Sequence, residues 1–175
     1  MVYRIPAVNL VGRGCLAQLK DEIGTLGCKK ALVVSDKFLT ENGVVEKVTK
    51  VLDQVGIEHT LYNDVKQNPS VANVEGGLEV LKKENCDFIV SIGGGSPQDC
   101  GKAISVLATN GGKITDYEGV NKSQKKCLPI VAIATTAVNP AGLLNISSGS
   151  LTVIDANVFL STMIILICVS SSVIT

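Results

Sequence analysis

No tryptophan occurs in these 175 residues, and three Phe and three Tyr are the whole aromatic content. A ladder of rings for stacking bases is therefore missing. Lys+Arg and Asp+Glu both number 16, so no net charge or basic block draws the chain to a phosphate backbone, and nucleic acid is not expected as a partner. There is one histidine, His59, on a short segment where a surface position is expected, so three imidazoles cannot be assembled from one copy. The six cysteines, Cys15, Cys28, Cys86, Cys100, Cys127 and Cys168, form no C-x-x-C pair that would suggest a metal clip or redox dithiol. They read as small buried hydrophobes in a reducing compartment. Near the N-terminus no long apolar run precedes small residues, so no secretory leader is read and a cytoplasmic protein is expected.

What is present is an alternation of apolar runs and helical stripes within a chain that is 46% hydrophobic. Cys15, Leu16, Leu19, Ile23 and Leu26 keep helical spacing over 15–26. The run 31–34 is continuously apolar, as in a strand buried on both faces of a parallel sheet, and places Asp36 at its carboxyl end. Val44, Val48, Val51, Leu52 and Val55 predict a helix over 44–55, followed by a strand over 58–62. After Asn68-Pro69-Ser70, Val74, Leu78 and Leu81 mark another helix, and 87–92 and 128–134 are further buried strands. Strands alternating with helices of this length predict an α/β fold, a Rossmann-like doubly wound parallel sheet with helices on both faces. Ligands of such sheets bind at the carboxyl ends of the strands.

The densest signal is Gly93-Gly94-Gly95-Ser96-Pro97-Gln98-Asp99, between a buried strand and a helix. Three residues without Cβ let backbone amides approach a diphosphate closely. Ser96 is expected as the N-cap, Pro97 as the first helical residue and Asp99 as the third, a capping-box arrangement. Cys100, Ala103, Ile104, Leu107 and Ala108 then give the stripe that packs this helix on the sheet. Alone, the turn could be a tight connection that binds nothing, and Asp36 could simply cap a turn. Lys102 could reach a phosphate, although a solvated charge is the ordinary fate of such a lysine.

Taken in order, six segments carry a resemblance: Gly12-Arg13-Gly14, Val33-Val34-Ser35-Asp36-Lys37, residues 42–48, Asn68-Pro69-Ser70, residues 92–99, and Ala134-Thr135-Thr136-Ala137. Together they resemble the long-chain, metal-dependent alcohol dehydrogenases, often called iron-containing, of the lactaldehyde reductase and 1,3-propanediol dehydrogenase type. The resemblance implies that residues 1–137 are a dinucleotide-binding domain using NAD. It implies that Asp36 binds the adenosine ribose and disfavours NADP. It places Gly93, Gly94, Gly95, Ser96, Pro97 and Asp99 along the pyrophosphate and nicotinamide side, Asn68 against the cofactor, and Thr135 and Thr136 near the phosphates and the nicotinamide ribose. In that family Fe²⁺ is held by one Asp and three His of a helical C-terminal domain, and small alcohols, diols or aldehydes are the substrates. A homodimer is the implied assembly.

Residues 138–175 depart from that pattern. After Lys126 the only charged side chain is Asp155, and the segment reads as a divergent apolar tail from a shifted or prematurely ended reading frame. Its last twenty residues could span a membrane by length, but their Ser, Thr and β-branched content favours β structure. Turnover by this chain alone is not expected, and a non-catalytic nucleotide-binding or subunit-pairing module is the competing function.

Overall fold

The computed structural model describes residues 8–11, 15–118, 122–135 and 163–167. Its strands are β1 (Val8–Val11), β2 (Lys30–Val34), β3 (Glu58–Tyr62), β4 (Phe88–Gly93), β5 (Ile130–Ala134) and β6 (Met163–Ile167). Its α-helices are α1 (Leu19–Thr25), α2 (Lys37–Glu41), α3 (Val44–Gln54), α4 (Val71–Lys83) and α5 (Gly95–Asn110). The six strands form one sheet in the order β1-β6-β5-β4-β2-β3, with every pair parallel.

Because successive strand residues point to opposite faces, each central strand divides its apolar residues between two cores. Leu32, Val34, Ile89, Ile130 and Ala132 meet Val74 and Leu81 of α4 and Ala103, Ile104 and Leu107 of α5. Ala31, Val33, Phe88, Val90, Ile92, Val131 and Ile133 meet Leu19 and Ile23 of α1 and Val44, Val48 and Leu52 of α3. Each fully buried Leu, Ile or Phe contributes about 2 kcal/mol by leaving water. The doubly wound sheet predicted from the apolar runs is thus the observed architecture.

The connections explain where a ligand site belongs. From β2 the chain moves outward to β3 through α2 and α3 on one face, then returns past β2 to β4 through α4 on the other. The direction of winding therefore reverses between β2 and β4, and the crevice at their carboxyl ends is a topological switch point.

Two local expectations are corrected, and one helix was not foreseen. The helix read over 15–26 opens as a 3-10 turn, Cys15–Gln18, before α1 begins. The short helix α2 had no periodic stripe to announce it and depends on a cap from Asp36. Helix α5 begins at Gly95 with Gly94 as N-cap, so Ser96 and Pro97 lie inside its first turn and no side-chain cap bond is made. Proline is tolerated there because the first-turn N–H groups have no intrahelical acceptor in any case.

Of the cysteines, Cys15, Cys86, Cys100 and Cys127 are buried and Cys28 is partly buried, while Cys168 lies outside the described residues. The described part of the apolar tail is β6, which runs between β1 and β5. No helix among the described residues is long and apolar enough to cross a membrane.

Candidate functional site

Loops following β2, β3, β4 and β5 emerge at one edge of the sheet because the strands are parallel. That edge gathers Asp36, Asn68, the glycine turn and Thr135. Thr136 lies outside the described residues.

After β2, buried Ser35 donates its hydroxyl to the Ile92 carbonyl at 2.9 Å, and its N–H donates to the Tyr62 carbonyl at 2.9 Å. The end of β2 is thereby tied to both neighbouring strands. Asp36 follows in extended backbone, and its Oδ1 accepts from the Leu39 N–H at 2.8 Å. Thr40 returns its hydroxyl to the Asp36 carbonyl at 2.8 Å. Capping α2 therefore fixes the direction of the Asp36 carboxylate while occupying one of its two oxygens.

Gly93 ends β4 with φ +145, a conformation that L side chains rarely adopt. A Cβ there would stand 2.7 Å from Pro97 Cγ and 3.2 Å from Leu39 Cδ1. Around a Cβ built on Gly95, by contrast, no atom of the described residues lies within 4 Å. With Gly94 as an extended N-cap that has no side chain, the opening N–H groups of this 16-residue helix receive no side-chain cap among the described residues. Orphan donors and the positive end of the helix dipole make such a terminus receptive to an anion.

Behind this turn the polar groups are buried and matched. The Gln98 side chain, 3% exposed, donates through Nε2 to the carbonyls of Ile133 (3.1 Å), Gly93 (3.4 Å) and Ser91 (3.4 Å). Its Oε1 accepts from the Ser91 hydroxyl. The Thr135 N–H donates to the Gly93 carbonyl at 3.2 Å, which sets the end of β5 beside the turn. Sequence reasoning missed Gln98, although a polar residue set beside the apolar stripe of α5 was the available signal.

Asp99 lies one turn into α5 and pairs with Lys102 at 3.5 Å. The Lys102 side chain is only 10% exposed, so its expected solvated position is corrected. Lys102 shares the flank of α5 that carries Gln98 and Ser105, whose side chains reach the carbonyls of Ile133 and Leu128, and that flank is covered by β5 and the segment leading into it. Asp99 therefore serves as an ion-pair partner rather than as the helix cap expected of it.

Asn68 occupies a left-handed φ of +56 immediately before Pro69 and is exposed in the loop after β3. The following helix is anchored by Asn73, whose amide donates to the Asp64 carbonyl at 2.9 Å and whose own carbonyl accepts from the Tyr62 hydroxyl at 2.8 Å. Burial pushes the Tyr62 hydroxyl above its ordinary pKa. Burial, and secondarily the negative charge of Asp99, pushes the Cys100 thiol up to about 12, so it stays protonated and inert near neutral pH.

His59, expected at the surface, is half-buried on β3 with Nδ1 3.4 Å from Asp53. It stands near the amino end of its strand, away from the glycine turn. Among the described residues no group of three or more His, Cys, Asp or Glu could hold a metal ion.

Comparison with known proteins matches this arrangement to one family. The sequence model described as iron-containing alcohol dehydrogenase matches residues 6–152, reaching past Ala137, where the motif resemblance ended. Alcohol dehydrogenase 4 of Schizosaccharomyces pombe is 53% identical over 135 residues, covering 77% of this chain and 32% of that protein. The NAD-dependent methanol dehydrogenase of Bacillus methanolicus is 43% identical over 135 residues, covering 77% of this chain and 35% of its own. A crystal structure of 1,3-propanediol oxidoreductase superposes with a TM-score of 0.78 at 33% identity, covering 95% of this chain and 45% of that one. The chain thus spans about a third of the length of the curated relatives it matches.

Proposed function

Because the chain belongs to the iron-containing alcohol dehydrogenase family, we propose that residues 1–137 are its dinucleotide-binding domain and take NAD at the carboxyl edge of the sheet. The observation that carries this reading is the uncapped N-terminus of α5, standing behind a glycine turn at the switch point. Its free amides and dipole suit a diphosphate, which Gly94, Gly95 and Ser96 would hold while Gly93 and Pro97 shape the approach. Asp36 spends one oxygen on α2 and keeps the other for a ribose hydroxyl, where its charge would repel a 2'-phosphate. Asn68, Asp99, Thr135 and Thr136 would flank the nicotinamide side.

In the complete family enzyme we propose hydride transfer between NAD and a small alcohol, diol or aldehyde, the bound nicotinamide supplying the hydride acceptor. The residues present do not fit an iron centre, since the chain has a single histidine and it lies outside the switch point. We therefore assign no iron ligand to these residues and propose that by themselves they bind dinucleotide without turning over alcohol. A cytoplasmic homodimer without nucleic-acid or membrane partners is the setting proposed for the protein.

The test is calorimetric titration of the purified chain with NAD, NADH and NADP. NAD and NADH are expected to bind, and NADP at least about tenfold more weakly because of the Asp36 carboxylate. Folded protein that binds none of the three ends this reading.

A further inference from the structure

One buried side chain joins the glycine turn to the ends of β4 and β5. The Gln98 amide reaches carbonyls on the carboxyl ends of two strands, Gly93 on β4 and Ile133 on β5, from within the first turns of α5. All of its Nε2 contacts are carbonyl oxygens, which only accept, so the orientation of the amide is fixed and Oε1 is left for the Ser91 hydroxyl. The Gly93 carbonyl also receives the Thr135 N–H. A displacement of Gln98 would therefore move the glycine turn relative to Thr135, and α5 relative to both.

We propose that Gln98 is a positioning residue for the dinucleotide, a clamp that sets the gap between the glycine turn and Thr135. The inference rests on the function proposed above and goes beyond it by naming a group that never touches the ligand. An apolar side chain would fill the same buried volume, yet would leave the buried Ser91 hydroxyl without its acceptor and take one donor from the carbonyls of Gly93 and Ile133. The cross-tie between the ends of β4 and β5 would be lost, and the glycine turn with it would be free to shift against Thr135. A carboxylate would be worse, because its oxygens would face carbonyl oxygens, but once protonated it regains one donor.

The experiment titrates the full chain with NAD by calorimetry between pH 6 and pH 8.5 for wild type, Gln98→Met and Gln98→Glu, with circular dichroism to verify folding. The groups packed against Gln98 in the wild type are carbonyls and the Ser91 hydroxyl, and Asp99 and Lys102, the neighbouring charges on α5, are common to all three proteins. We expect Gln98→Met to bind about tenfold more weakly at every pH, the loss that follows from an unmatched buried polar group. Gln98→Glu should bind weakly at pH 8.5 and recover toward wild type at pH 6, a pH dependence that a packing role would not produce. Met binding equal to wild type, or a Glu variant whose affinity is flat with pH, overturns the inference. Loss of folding in both variants also overturns it, since Gln98 would then be a requirement of the fold rather than of the site. Wild type that fails to bind NAD defeats the underlying function instead.

Discussion

At the amino edge of the sheet Asp87 accepts from the N–H groups of both Lys29 (2.8 Å) and Lys30 (2.9 Å), and the Lys30 ammonium pairs with Glu84 at 3.1 Å. At the carboxyl edge the N-cap of α5, Gly94, supplies no side-chain cap. The amino edge is tied by charged side chains, and the carboxyl edge leaves the start of α5 without a side-chain cap at the place where the winding reverses. The contrast fits the dinucleotide site proposed at the carboxyl edge.

The sharpest way to break the comparison is to cap the uncapped end. In Gly94→Asp the new carboxylate sits at the N-cap position, where Asp is among the preferred residues, and stabilises the helix by a few tenths of a kcal/mol or more. The same carboxylate occupies the donors meant for a diphosphate and repels it, so NADH affinity should fall about a hundredfold or more while the melting temperature holds or rises. A variant that loses stability and affinity together would mean that the open terminus is a packing accident. Gly93→Ala should act differently, because a Cβ there combines a rarely adopted φ with a 2.7 Å approach to Pro97. It is expected to lower stability by about 2 kcal/mol and affinity with it, measured by urea unfolding and NADH titration on the same samples.

How far these edges could be read without coordinates differs for the same physical reason. Strands β2, β3 and β4 announce themselves because a parallel strand covered on both faces must be an apolar run or lie beside one, and their predicted bounds fall within a residue of those observed. Helix α2 did not, being five residues held by the Asp36 cap rather than by an apolar stripe. The start of α5 was misread because Pro97 fits the first helical position by preference, whereas the glycines let the backbone turn into the helix two residues earlier. The burial of Lys102 and the clamp made by Gln98 depend on β5, more than thirty residues away in sequence, and no local pattern encodes that. Strand β1 had no local signature either, whereas β6, its partner more than 150 residues away, lies in the tail whose β-branched content favoured β structure.

The amino edge can be broken without touching the site. Asp87→Ala strips the acceptor from two backbone N–H groups and should cost about 2 kcal/mol of stability. Affinity for NADH should not change, because the ligand edge lies at the opposite ends of the same strands. A drop in affinity larger than the fraction unfolded would show that the two edges are coupled through β2 and β4, and the functional contrast would lose its force.

The mildest test uses alkali. Cys100 on α5 has its pKa raised by burial and by Asp99, to about 12, while Cys86 at the amino edge is raised by burial but held back by Lys30 and by a hydrogen bond with Thr60. A thiol whose folded pKa lies above its unfolded value favours folding fully below the unfolded pKa, and that contribution is lost as pH climbs toward the folded one. For Cys100 the window opens near pH 9, the ordinary thiol value, and closes near 12, with a loss of about 1 kcal/mol already at pH 10. Urea midpoints of wild type should therefore fall as pH rises from 8 to 10. Cys100→Ala should flatten that fall more than Cys86→Ala does, because only the thiol beneath the open edge lacks a cation to steady its thiolate. Equal slopes in the two variants would mean that burial alone sets both thiols, and that Lys30 secures the amino edge through Glu84 without influencing its neighbour.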